Sequence, residues 1–284
     1  MSLMALARSF LFVPGSRPDR YAKALASGAG AVIIDLEDAV APDAKVEARK
    51  QLAEGFAAMS AADRARVLVR INAGGTPWHE GDLLLLAQLA AQGLGGVMVP
   101  KAESVAELTQ VADSAGPGCA LLPLIESAAG LTALDVLAAS AGVTRLVFGN
   151  LDLQADLGMA CGADEAELQP ARFALVLASR RFGLPAPVDG VTPGTDDAAQ
   201  LQSDAERARR SGFGAKLCIH PSQVAVVNAA LGPTAEELDW ARRVIVASAA
   251  EGGGVFTLDG RMVDAPVLRL AARIVALGDA GRGQ

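Results

Sequence analysis

Eight short apolar runs, each ending on a polar group, recur along the first three quarters of this chain and limit what it can fold into. They cover residues 9–13, 31–36, 66–71, 96–100, 120–125, 144–149, 187–190 and 215–219. The runs are continuously apolar instead of alternating, as expected of parallel strands buried on both faces. The segments between them read as helices. Ser104 with Glu107, and Asp164 with Glu167, have capping-box spacing, Pro18 suits a first helical turn, and Gly28, Gly93 and Gly212 stand where helices would stop. Eight such alternations predict an α/β fold of the TIM (β/α)8 barrel type. A doubly wound open sheet is the competing arrangement, but no GxGxxG follows the first run to support it.

After the eighth run the pattern changes. Residues 234–250 read as a helix opened by a Thr234/Glu237 capping box, and 252–254 as a glycine break. Two short runs, 255–258 and 261–263, flank Asp259-Gly260, a hairpin signal. Residues 266–277 then predict a closing helix with Val267, Leu268, Ala271, Ile274 and Val275 on one face. The expected organisation is a barrel over 1–232 and a helical/hairpin lid extension over 233–284. So small a tail is expected to bury its apolar face on the barrel or on a neighbouring subunit.

Composition removes several function classes. Half of the 284 residues are hydrophobic, enough for a large core, and the net charge of −7 argues against nucleic acid or an anionic membrane as a partner. Cys119, Cys161 and Cys218 lack metal-type spacing and read as buried small hydrophobes in a reducing, cytoplasmic setting. No run reaches the roughly 18 apolar residues of a membrane span. Arg8 interrupts the N-terminal apolar stretch, so it does not read as a signal peptide.

In a barrel of this type the chemistry sits where the strands end. The exits carry Arg17, Glu37 and Asp38, Arg70 and Asn72, Lys101, Glu126, Asp152, Asp189 and His220. Glu126 and Asp152 leave adjacent strands, and two close carboxylates either share a proton or hold a cation. With only two histidines, His79 and His220, and no cysteine cluster, hard oxygen donors point to Mg²⁺. Arg70 is placed to pair with a substrate carboxylate or an enolate, and an arginine and a magnesium ion on one oxygen suit an enolate-forming reaction. Other readings stand beside these. Arg17, Arg20 and Lys23 form either a solvated helix face or a phosphate cradle. Glu37 and Asp38 either cap the following helix or pair with Lys101 or Lys216 behind the ligands. His220, before Pro221, reads equally as a hydrogen-bonded structural histidine.

The pieces RSFLFVPGSRPDRYAKAL, DLEDAVAPDAKVEAR, RINAGGTPWHEGDL, GVMVPKAES, LIESAAG, FGNLDLQADLG, GAKLCIHPSQV and DGRMVDAPV occur in one order over most of the chain. Together they resemble the citrate lyase β-subunit-like branch of the HpcH/HpaI aldolase superfamily, which includes malyl-CoA, methylmalyl-CoA and citramalyl-CoA lyases. The resemblance implies a carbon–carbon lyase that cleaves or forms a 3-hydroxy-carboxyacyl-CoA thioester, giving an acyl-CoA and a 2-oxo acid. It also implies Mg²⁺ on Glu126 and Asp152, Arg70 at the substrate carboxylate or oxyanion, and Phe12, Arg17 and Lys23 holding the substrate and its CoA side. Asp264 would be a catalytic aspartate on a lid that reaches the next subunit of a homo-oligomer, a homotrimer or hexamer. One departure bears on substrate choice. Leu151 stands where many relatives carry glutamate, which also resembles the Asp-Leu motif of pyruvate-type class II aldolases acting on free hydroxy-oxo acids. A chain dependent on an acyl carrier protein, or a non-catalytic binding subunit, is the further alternative; the lid motif favours the thioester branch.

Overall fold

The computed structural model describes residues 3–250 and 254–280. Residues 251–253 lie outside the described residues and take in most of the expected glycine break. Eight parallel strands close into a barrel in chain order: β1 Ser9–Pro14, β2 Ala31–Asp35, β3 Val67–Arg70, β4 Gly96–Val99, β5 Ala120–Ile125, β6 Val147–Phe148, β7 Val188–Asp189 and β8 Ala215–Cys218. β1 pairs with both β2 and β8, so no edge is left open. Helices occupy the crossovers, the longer ones being Lys45–Ala57, His79–Ala90, Val105–Ala115, Gln169–Arg181 and Ala198–Arg210.

The strands are mostly apolar because one set of their side chains fills the barrel while the other packs beneath the helices. Phe10, Ala31, Ile33, Leu68, Met98, Leu122, Leu124, Val147, Val188, Ala215 and Leu217 belong to a single buried cluster. At the other end of the strands lies Arg145, 2% exposed and, among the described residues, without a carboxylate partner. Its guanidinium donates to the carbonyls of Met4 (3.1 Å), Ala7 (2.7 Å) and Ala186 (2.7 Å) and stacks near the Phe10 ring. Burial pushes its pKa down to about 9. The residue ties the segment before β1 to those flanking β6 and β7, and so does by hydrogen bonding what sheet contacts do elsewhere.

The chain divides into two compact units, residues 1–228 and 229–284. The second holds the helix Ala235–Ala250, the antiparallel pair β9 Phe256–Leu258 and β10 Arg261–Val263, and the helix Ala265–Ala280. Both arms of the Thr234/Glu237 capping box form, at 2.8 and 3.2 Å. The turn residues Asp259 and Gly260 take positive φ, 50° and 74°. Part of the apolar face of the closing helix packs within its own unit. Val267, Leu268, Ile274 and Val275 pack with Ala271 against Trp240, Ala241, Val244, Phe256 and Val263. Among the described residues no helix is long and apolar enough to cross a membrane.

Removing the Arg145 side chain takes a donor from the carbonyls of Met4, Ala7 and Ala186. Arg145→Ala is expected to lower the free energy of unfolding in urea by on the order of 3 kcal/mol or more; a loss below about 1 kcal/mol would show that those carbonyls find other donors.

Candidate active site

Strand periodicity builds the site. In β1, β2, β3 and β5 the inward positions run from Phe10 to Phe12, from Ile33 to Asp35, from Leu68 to Arg70 and from Leu124 to Glu126. The apolar filling thus gives way to an aromatic ring, a carboxylate, a guanidinium and a second carboxylate where the strands end. Above them lies a cavity of about 380 Å³, also lined by Asp38, Gly149, Asn150, Leu151, Asp152, Val191, Leu217 and Ile219.

Arg70 is the cation at its centre, and it is already held. Nε and Nη2 meet the two oxygens of Asp35 at 2.7 and 2.6 Å, a two-point fork. Nη1 lies 3.0 Å from Glu37 and 3.3 Å from Asp38, and the guanidinium carbon stands 4.8 Å from the centroid of the Phe12 ring. Burial works against the charge, but Asp35, Glu37 and Asp38 outweigh it and raise the Arg70 pKa. Asp35 also accepts the backbone N–H groups of Glu37 (2.9 Å) and Ala39 (3.0 Å), so one carboxylate fixes both the arginine and the turn beyond β2. Behind that turn, buried Lys45 donates to the carbonyls of Leu36 and Glu37 and to Asn72 Oδ1 at 2.9, 2.8 and 2.6 Å. Asn72 is fixed in turn by Asp82.

Glu126 is 3% exposed, and its Oε1 accepts the backbone N–H of Lys101 at 2.8 Å. Lys101 presents that N–H from a left-handed conformation (φ 45°), while its ammonium group reaches Glu37 Oε1 at 3.1 Å. Burial pushes the Glu126 pKa up to about 8, with the charges of Glu37 and Asp152 adding to the rise. Burial likewise raises Glu37, partly offset by Arg70. Gly149 makes room for Glu126: a Cβ there would come within 2.5 Å of Glu126 Cβ and 2.6 Å of Oε2. Asp152 sits on the exposed first turn of the helix Asn150–Leu157. Glu126 and Asp152 are therefore oxygen donors to one cavity, and among the described residues no His, Cys, Asp or Glu cluster of three forms. Two carboxylates and a costly buried charge suit a hard divalent cation that keeps its other positions for water or substrate oxygens.

The structure brings together Phe12, Glu37, Asp38, Arg70, Lys101, Glu126 and Asp152, but other expected residues lie apart. Arg17 is exposed and paired with Asp19 at 2.7 Å, Lys23 is exposed on the following helix, and neither lines the cavity. His220 is exposed too, its Nδ1 2.7 Å from Ser222 Oγ. Lys216 pairs with neither Glu37 nor Asp38; on an outward position of β8 it is buried and donates to the Gly190 carbonyl at 2.7 Å. Asp264 belongs to the second unit, where it accepts the Val267 N–H at 3.2 Å at the start of the last helix. Sequence reasoning missed the roles of Asp35, Lys45 and Asn150. Only Asp35 left a signal, as an acid within the second apolar run.

Residues 8–221 match the profile of the HpcH/HpaI aldolase/citrate lyase family. The chain belongs to that family. A "citrate lyase subunit beta-like protein" of Mycobacterium tuberculosis is 40% identical over 273 residues, 94% of each chain. A "(3S)-malyl-CoA thioesterase" of Cereibacter sphaeroides is 35% identical over 260 residues, 90% of this chain and 89% of the other. Among solved structures, CitE from M. tuberculosis in complex with magnesium, acetoacetate and coenzyme A superposes with a TM-score of 0.82 at 38% identity, covering 97% of this chain and 99% of that one.

The raised Glu126 pKa carries a sign. Between its ordinary value of 4.5 and about 8 the folded protein holds a proton there that the unfolded chain releases, so stability falls as pH rises through this window. Glu126→Gln, which removes the ionisation, is expected to raise the metal-free unfolding midpoint at pH 8 and flatten its decline from pH 5. An unchanged pH profile would show that Glu126 ionises there without penalty.

Proposed function

We propose that the protein is a Mg²⁺-dependent carbon–carbon lyase that cleaves, or in reverse forms, a 3-hydroxy-carboxyacyl-CoA thioester to give an acyl-CoA and a 2-oxo acid. The observation that carries this is the pairing, in one cavity, of a two-carboxylate oxygen site with a buried, immobilised arginine. Family membership and the magnesium and coenzyme A bound by the M. tuberculosis relative support it.

Glu126 and Asp152 would hold the cation, which when bound supplies Lewis-acid polarisation of the 2-oxo acid carbonyl and offsets the excess of carboxylates. Asp264, from a neighbouring subunit of a homo-oligomer, takes the proton of the substrate hydroxyl. The O–H electron pair forms the new carbonyl, the C–C bond breaks, and its electrons pass to the thioester as an enolate. Arg70 stabilises that oxyanion in a fixed orientation, because Asp35 holds its plane and Phe12 lies beneath it. The enolate carbon then takes up the proton held by Asp264, which releases the acyl-CoA and restores the base. Arg17 and Lys23 present cationic groups after β1 to the CoA phosphates; the exposed Arg17–Asp19 pair is weak enough to yield to them.

The test is to incubate the full chain with Mg²⁺, acetyl-CoA or propionyl-CoA and a panel of 2-oxo acids, following condensation products by mass and free CoA by thiol titration. A hydroxyacyl-CoA product is expected. Turnover only of a free hydroxy-oxo acid would replace the reading with a pyruvate-type aldolase. Activity only on an acyl carrier protein thioester would make the chain a carrier-dependent subunit. Asp152→Asn is expected to lower the rate by roughly 10²- to 10³-fold. Mixing Asp264→Ala with Asp152→Asn protein is expected to restore part of the activity, and no recovery after demonstrated subunit exchange would place the base elsewhere.

A further inference from the structure

Glu126 and Asp152 are positioned differently. Glu126 is held through its carboxylate by the Lys101 N–H, whereas among the described residues no hydrogen bond holds the Asp152 carboxylate. The place of Asp152 is set by the seat of the helix Asn150–Leu157, and that helix begins with a buried polar residue. Asn150 is 1% exposed. Its Nδ2 donates to Glu165 Oε1 at 2.8 Å and to the Val191 carbonyl at 3.1 Å, and its Oδ1 accepts the Val191 N–H at 2.9 Å. One amide thus clamps three segments: the start of the helix after β6, the chain leaving β7, and the turn that carries Glu165.

Two features show that the surroundings are built around this amide. A Cβ on Gly190 would come within 2.1 Å of Asn150 Oδ1 and 2.5 Å of Cγ. The Gly190 backbone is not in the left-handed region, so its glycine answers to Asn150 and not to a turn. Glu165, in contrast, is in the left-handed region (φ 48°) and is locked from behind. Its Oε2 meets both Arg172 and Arg207, the second at 3.0 Å; Arg172 continues to Asp189 at 3.0 Å and Arg207 to Asp204 at 2.8 Å. None of Glu165, Arg172 or Arg207 lines the cavity. The buried ion network ends on the amide that begins the helix carrying Asp152.

We infer that Asn150 is the positioning residue for Asp152: by joining the Glu165 network to the Gly190-Val191 backbone it sets the helix so that the Asp152 carboxylate faces the cavity shared with Glu126. The inference rests on the reading of Glu126 and Asp152 as ligands of a divalent cation. Outer partners of metal ligands typically govern affinity by roughly 10- to 100-fold, and here the coupling runs through backbone.

The experiment measures Mn²⁺ binding to the full chain by electron paramagnetic resonance, with thermal unfolding of the metal-free protein alongside. Asn150→Ala and Gly190→Ala are each expected to weaken Mn²⁺ binding by roughly 10-fold or more. The Asn150→Ala/Gly190→Ala double variant is expected to lose less than the sum of the two single changes, because Oδ1 and Cγ, the two atoms nearest the new Cβ, are gone and only Asn150 Cβ, at 2.8 Å, remains in its way. Lower thermal midpoints with unchanged Mn²⁺ affinity would reduce Asn150 to a stability element and overturn the inference; additive losses in the double variant would overturn the link through Gly190. Should Asn150→Ala fail to fold, Gly190→Ala and Glu165→Ala give the same comparison. Asp152→Asn separates the two layers. If it abolishes Mn²⁺ binding while the other variants bind normally, only the positioning role falls; if it too binds normally, the ligand assignment falls and the inference with it.

Discussion

The fork between Asp35 and Arg70 is the contact on which the rest of the site depends. Both groups are almost fully buried, and a buried charge persists only with a well-placed counter-charge and satisfied hydrogen bonds. Asp35 meets both demands, fixing the guanidinium on one side and two backbone N–H groups on the other. The turn so formed carries Glu37, which holds the Lys101 ammonium; the Lys101 backbone in turn holds Glu126. A change at β2 therefore reaches β5 through three contacts without passing through the cavity. The acids after β2 act as scaffold as much as chemistry, with Glu37 shared between Arg70 and Lys101.

The fold was legible because barrel strands are marked by nearly continuous apolarity, which holds even in β6, only two residues long. Turn chemistry was legible where the interaction is local. Thr234 and Glu237 cap each other as spaced, but Ser104 and Glu107 do not: Ser104 caps Ala106, while Glu107 reaches across to the Gly74 N–H. The same spacing served two purposes, and only the position of a distant loop decides between them.

In the site, strand exits located the carboxylates and the arginine and offered Lys101 as the partner of Glu37, but not Asp35 as the partner of Arg70. Whether a polar residue at a strand end faces the cavity or the helices depends on phase, and one position separates Asp35, facing in, from Lys216 and Asp189 on outward positions of their strands. Lys45 and Asn150 were hidden for another reason. A lysine in the first turn of a helix and an asparagine after a glycine are ordinary surface patterns, and their burial follows from contacts with Asn72 and Glu165, remote in sequence. The apolar face of the closing helix was legible, and the helix Ala235–Ala250 and the hairpin cover part of it in a small core.

Lys101 shows two demands on one residue. A side chain with a Cβ in the left-handed region costs the backbone roughly 1–2 kcal/mol, which glycine would avoid. Glycine, though, would leave Glu37 without its ammonium partner, and Glu37 stands beside Arg70. Position 101 is thus a place where backbone ease and charge balance ask for different amino acids, and the lysine found there favours the charge.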